Sequence, residues 1–190
     1  MIATVDPGQI LILEKGEKYV RLGNGHTILA LDPSSSRTGY ALLTEQETLR
    51  EAGLLKPGKT TDPAAERIGA MCLDLAELLA ALAPDVIVIE WTSGHVGRKR
   101  HRGGGAGLAV YGIAIGALWQ VARHYAAPAG ARVEIVAEND WTDGVPKPDR
   151  IGNIARLYPA YNPARDTGGD AADAIGLARW WIRRHRLKLV

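Results

Sequence analysis

Four consecutive β-branched residues, Val86-Ile87-Val88-Ile89, run directly into a glutamate, Glu90. A run that is apolar at every position, with no polar alternate, is a strand covered on both faces. The covers must come from elsewhere in the chain, and the flanking sequence supplies them. On the N-terminal side Ile68, Cys72, Leu75, Leu79 and Leu82 recur at spacings of four, three, four and three, the stripe of an amphipathic helix. Asp62-Pro63 reads as its start, with the acid as N-cap and proline at the first helical position, and Pro84 ends it. On the C-terminal side residues 108–124 read as a second long helix. A doubly covered strand between two helices is the signature of an α/β layer structure.

Three compact strand candidates precede this unit, at residues 27–31, 40–43 and 49–55. The turn-rich Asp32-Pro33-Ser34-Ser35-Ser36 separates the first two and residues 44–47 separate the second from the third; links this short make antiparallel neighbours. Residues 132–137 read as a fifth strand, and helices are expected over 148–157 and 170–186. The order β-β-β-α-β-α-β-α-α predicts a mixed sheet with helices on both faces and right-handed parallel crossovers. Residues 1–26 alternate short apolar runs with glycine and charge, and are expected to form a small β-hairpin ahead of a main domain at 27–190.

A length of 190 residues with 46% hydrophobic and 23% charged content suits one globular domain. No stretch reaches the roughly 18 apolar residues of a membrane helix. Asp6 and Pro7 fall where a signal peptide carries a basic start and an apolar run, so a cytoplasmic protein is expected. Cys72 is the sole cysteine and reads as core. A net charge of +2 leaves the choice of partner to local charge.

Local charge is concentrated in carboxylates at strand ends. Asp32 follows the first strand directly, as Glu90 follows the fourth. If those strands are parallel neighbours, both acids emerge at one edge of the sheet. Asp32 is also a natural turn former before Pro33. Glu90 is harder to explain away, because a carboxylate ending a doubly covered strand is costly unless paired or bound to a cation. Asp170 and Asp173, in Gly168-Gly169-Asp170-Ala171-Ala172-Asp173, are three apart and share one helix face. The same pair also suits a helix N-terminus as cap and dipole partner. Taken together, four acids with no base beside them in sequence repel one another, and a divalent cation is the usual remedy. All-oxygen ligands select Mg²⁺, with Mn²⁺ able to substitute. Two such ions about 3.5–4 Å apart can activate water and stabilise a leaving oxygen in phosphoryl chemistry. Zinc is excluded by the absence of clustered His and Cys.

Ile28–Asp32 with Arg37-Thr38-Gly39-Tyr40, Val86–Glu90, and Asp170-Ala171-Ala172-Asp173-Ala174 resemble the three acidic motifs of RuvC-type Holliday junction resolvases. The resemblance runs from about residue 27 to 185. It implies an RNase H-like fold with sheet order 3-2-1-4-5, and Asp32, Glu90, Asp170 and Asp173 as catalytic metal ligands holding two ions. It also implies a homodimer that cuts opposing strands of a four-way DNA junction symmetrically. Lys147 and Arg150 resemble the basic positions the family places near the scissile phosphate, which makes Lys147 a catalytic candidate; an ordinary loop lysine is the plainer reading. Two features depart from the family. Residues 1–26 have no counterpart in its core, and the chain has no Phe to serve as the aromatic wedge after the second acid. Trp91 or His95 are the substitutes on offer, although Trp91 equally suits a core.

Between Glu90 and the second long helix, Arg98, Lys99, Arg100 and Arg102 precede Gly103-Gly104-Gly105. A charge run is usually a solvated face. Next to an acidic cluster that repels phosphate, these cations with Trp91, His95, Lys147 and Arg150 are candidate DNA contacts, since phosphate contacts supply most DNA affinity. Gly112 and Gly116 allow the second long helix a close approach, either to the sheet or to a second subunit, and the sequence does not choose. Leu108, Tyr111, Ile115 and Leu118 give that helix one apolar face, and Ala109, Gly112 and Gly116 a flatter second one. The competing functions are a related nuclease acting on broader branched DNA or RNA/DNA hybrids, and a non-catalytic DNA-binding module of the same fold. A sugar-kinase or actin-like ATPase is excluded by a chain too short for its two halves and by the lack of a glycine-rich phosphate loop after Asp32.

Overall fold

The computed structural model describes residues 13–14, 17–18, 25–34, 36–55, 57–59, 61–92 and 104–186. Two short strands, β1 (Leu13–Glu14) and β2 (Glu17–Lys18), pair antiparallel within the segment where a hairpin was expected. The main sheet is built from β3 (Thr27–Pro33), β4 (Thr38–Thr44), β5 (Leu49–Leu55), β6 (Val86–Trp91) and β7 (Arg132–Ala137). Its order is β5-β4-β3-β6-β7, which is 3-2-1-4-5 when these five strands are counted along the chain. β3, β4 and β5 are antiparallel neighbours, as their short links require, while β3–β6 and β6–β7 are parallel. This is the mixed sheet that the strand order predicts.

Alternation along β3 and β6 divides the core into two layers. Ile28, Ala30, Val86 and Val88 face α5 (Asp170–Arg186) and join Ala174, Ile175, Ala178, Trp181 and Ile182. Leu29, Leu31, Ile87 and Ile89 face the other way. There they meet α1 (Ala64–Leu82) through Ile68, Met71, Leu75 and Leu79, and α2 (Gly104–Ala129) through Ala114, Leu118 and Ala122. The doubly apolar β6 is thus explained by helices on both sides. Two further helices, α3 (Glu138–Thr142) and α4 (Lys147–Leu157), lie on the α5 side, where Trp141 and Ile154 join that layer.

Four local expectations are corrected. Asp62 does not cap α1: Pro63 holds the cap position without a side-chain bond, and the Asp62 carboxylate accepts instead from the Lys59 backbone N–H at 2.9 Å. β3 continues through Asp32 to Pro33, pairing with Gly39 and Thr38, so Asp32 is a strand residue and not a turn former. α2 runs from Gly104 to Ala129, well past residues 108–124 at both ends, and Leu108 is exposed and so does not belong to its buried face. The five-residue α3 was not foreseen at all, being shorter than any helical period can reveal.

Candidate functional site

The site lies at one edge of the sheet, where the parallel β3 and β6 end. Their register pairs Ala30 with Val88 and Leu31 with Ile89, so Asp32 and Glu90 come next, side by side. By the same alternation both fall on the face covered by α5. That helix starts there, carrying Asp170 and Asp173 in its first turn. The backbone of α5 comes so close to β4 that a Cβ at Gly39 would stand 2.1 Å from the Asp170 carbonyl oxygen. Only glycine permits that approach, and the acids of three distant segments meet because of it. Asp32, Glu90 and Asp173 are buried, and Asp170 is nearly so.

Cationic side chains stand among the acids. Lys147, at the start of α4, places Nζ 2.9 Å from Asp170 Oδ1, 3.0 Å from Asp173 Oδ2 and 3.9 Å from Asp32 Oδ2. Its stem passes over Gly169, whose φ of 71° and missing side chain leave the path clear. Arg150, one turn further along α4, donates from Nε and Nη2 to both oxygens of Asp173, at 2.8 and 3.0 Å, a bidentate pair. Its third donor satisfies the Val145 carbonyl. Arg37, from the β3–β4 turn, binds Asp170 through Nε. Glu90 accepts a 2.7 Å hydrogen bond from the Trp141 indole N–H, and the Arg150 guanidinium lies over that same indole.

The electrostatics follow from this geometry. Burial, then the charges of Glu90 and Asp173, push the Asp32 carboxyl well above its usual range. Burial raises Glu90 to about 7, against the lowering effect of the Trp141 bond and with help from Glu138 and Asp173. For Lys147 burial acts to lower the value, but the hydrogen bond to Asp170 and the charge of Asp173 outweigh it and hold the ammonium firmly protonated. The cluster is therefore short of positive charge around Asp32 and Glu90, the condition that a cation relieves. Its donors are all carboxylate oxygens, which suits a hard divalent ion. Among the described residues no group of three or more His, Cys, Asp or Glu is arranged to hold a metal as it stands; the Lys147 ammonium sits between Asp170 and Asp173.

The structure brings together Asp32, Glu90, Asp170, Asp173, Lys147 and Arg150, all named from the sequence. Trp91 ends β6 beside Glu90 and is about half exposed, at 47%, so it is not core. His95, Arg98, Lys99, Arg100 and Arg102 lie outside the described residues. Sequence reasoning missed Arg37 as an ion-pair partner, Trp141, and Tyr111. The Tyr111 hydroxyl is 2.8 Å from Thr92 Oγ1; burial, partly offset by that bond, and the charges of Glu90 and Asp32 raise its phenol. Only Arg37 left a trace, in its place between Asp32 and Gly39.

The sheet order, the helices on both faces and the acids at the strand ends define the RNase H-like fold. Two curated relatives carry the name crossover junction endodeoxyribonuclease RuvC. That of Rhodopirellula baltica is 34% identical over 83 residues, covering 42% of this chain and 46% of the relative. That of Chlorobaculum parvum is 34% identical over 75 residues, 38% of each. The chain thus spans less than half the length of the curated relatives it matches. Among solved structures it is similar to Thermus thermophilus RuvC in complex with a Holliday junction substrate, with a TM-score of 0.59 and 15% identity. That match covers 86% of this chain and 96% of the other. The yeast mitochondrial Holliday junction resolvase Ydc2 gives a TM-score of 0.55 at 16% identity, covering 84% and 78%. No family model matches the chain. The resemblance to RuvC-type resolvases holds in sequence over part of the chain and in fold over most of it.

Proposed function

We propose that this chain is a structure-specific DNA endonuclease that resolves four-way junctions, hydrolysing phosphodiesters with symmetric paired cuts, as a cytoplasmic homodimer. The observation that carries the reading is the convergence of Asp32 and Glu90, side by side and buried at the end of β3 and β6, with Asp170 and Asp173 at the start of α5. Four oxygen-donor side chains, with Asp32 and Glu90 short of compensating charge, are the ligand set for Mg²⁺, two ions per site, with Mn²⁺ able to replace it. When bound, the metal supplies water activation and charge neutralisation at the phosphate.

The chain's own residues do the rest. Lys147 is partly exposed, so a phosphodiester entering the cluster meets its ammonium and gains a hydrogen-bonded positive charge where negative charge develops. Arg150 fixes Asp173 with two bonds and Arg37 fixes Asp170, which limits the rotamers those acids sample. Trp141 holds the Glu90 carboxylate in one orientation. In this reading the exposed Trp91, next to Glu90 in sequence, stacks on an unpaired base at the junction, and His95, Arg98, Lys99, Arg100 and Arg102, which lie outside the described residues, are the candidates for phosphate contacts. The test compares cleavage of a four-way junction, linear duplex and flaps in Mg²⁺, with Glu90→Gln as the control. Paired cuts on the junction alone are expected. Equal cutting of flaps would favour the broader branched-DNA nuclease, and no cutting at all a binding module.

A further inference from the structure

The acids of α5 are led into by Gly168-Gly169, two residues whose backbones are the least restricted of any. Something else must therefore hold the first turn of the helix in place. Asp166 does so. It is 6% exposed, and its carboxylate accepts three hydrogen bonds. The backbone N–H of Asp170 donates to Oδ1 at 3.0 Å, the backbone N–H of Ala172 to Oδ2 at 3.0 Å, and the Tyr161 hydroxyl to Oδ2 at 2.8 Å. The Asp166 carbonyl also accepts from the Gly169 N–H at 2.9 Å, closing the turn between them. One buried side chain thus grips the backbone of Asp170 and of the residue before Asp173. It touches neither acid's carboxylate, whose partners are Lys147, Arg37 and Arg150.

We propose that Asp166, braced by Tyr161, is a positioning residue that sets the metal-binding geometry of Asp170 and Asp173. This rests on the metal-site reading above. Its physical logic is that two ligands on one helix turn move as a body, so a shift of the turn by a fraction of an ångström misplaces both together. Outer partners that orient ligands commonly change metal affinity by 10- to 100-fold when lost. An ordinary helix cap, by contrast, changes stability and leaves ligand geometry alone.

The experiment measures Mn²⁺ binding directly, by electron paramagnetic resonance of the free ion, on the full chain. It is combined with hydrogen exchange of the amides in residues 170–173. Asp166→Asn removes an acceptor and a charge; Tyr161→Phe removes one hydrogen bond and leaves the charge. Ile154→Val, the buried core residue of α4, is the control that lowers stability without touching the Asp166 clamp. The expected result is half-saturation at about tenfold more Mn²⁺ for Asp166→Asn, a smaller shift the same way for Tyr161→Phe, and none for Ile154→Val. First-turn amides should exchange faster in the first two variants only. Should Asp166→Asn not fold, Tyr161→Phe decides alone. Faster exchange with unchanged Mn²⁺ binding would make Asp166 a helix cap and overturn the proposal. No Mn²⁺ binding by the wild-type chain would overturn the metal-site reading itself, and the proposal with it.

Discussion

Burial at the end of a doubly covered strand pushes the Glu90 carboxyl up to about 7; the Trp141 hydrogen bond works the other way, and Glu138 and Asp173 add to the rise. The folded state therefore disfavours the charged form. The sign follows from linkage: a group whose folded value is raised contributes stability that is complete below its ordinary value of 4.5 and is lost as pH rises through about 7. Asp32 is raised as well, and acts in the same direction. The metal-free protein should accordingly lose stability between pH 5 and pH 8. Glu90→Gln keeps the acceptor for the Trp141 indole and removes the ionisation, so its loss across that window should be smaller by up to about 3 kcal/mol. Thermal melts in a chelator at the two pH values measure this, and identical pH dependence in both proteins would refute it. The same variant should keep its fold and lose junction cleavage.

At the scale of elements, the site depends on how closely α5 docks on β4. A Cβ at Gly39 would meet the carbonyl oxygen and carbon of Asp170 at 2.1 and 2.2 Å and the Ala171 nitrogen at 2.7 Å. All three are backbone atoms that cannot rotate away. Gly39→Ala should therefore lift the start of α5 and lower stability by about 3 kcal/mol or more, at the upper end of small-to-large changes because nothing flexible can yield. Urea unfolding reads the loss, and an unchanged midpoint would mean that α5 is free to shift. Elements of this kind were legible wherever one period dominates. The apolar runs of β3 and β6 and the spacing of Asp170 and Asp173 announced a buried pair of strands and an acidic helix start. What escaped is what depends on contacts far apart in sequence. Trp141 reaches Glu90 across 51 residues and Arg37 reaches Asp170 across 133, and neither sits in a repeating pattern. Leu108 fits the apolar stripe of α2, yet lies exposed. The N-cap reading of Asp62 failed for the opposite reason, because a nearer backbone donor, Lys59, captured the carboxylate.

At the scale of the molecule, a four-way junction is close to two-fold symmetric, and under the proposed function one cluster of four acids would provide one cut. Two symmetric cuts call for two copies related by a two-fold axis. The outward face of α2 is the proposed contact. Ala109, Gly112, Ile113, Gly116 and Trp119 fall on one side of the helix, and Ile113 is 60% exposed. Sequence alone left Gly112 and Gly116 divided between sheet and partner. In the structure a Cβ at either position meets nothing within 4 Å among the described residues, so neither glycine packs on those parts of its own chain. That makes the test unusually clean. Gly116→Leu has room in the monomer and replaces a poor helix former with a good one, a gain of up to about 1 kcal/mol. Its melting temperature should hold or rise. If α2 meets its mate across this face, the same leucine should prevent close approach of the two helices and shift the protein from dimer to monomer. Light scattering at micromolar concentration reads the change, and paired cutting of junctions should give way to single nicks. A wild-type chain that is strictly monomeric and still makes paired cuts would overturn both the interface and the symmetry argument behind it.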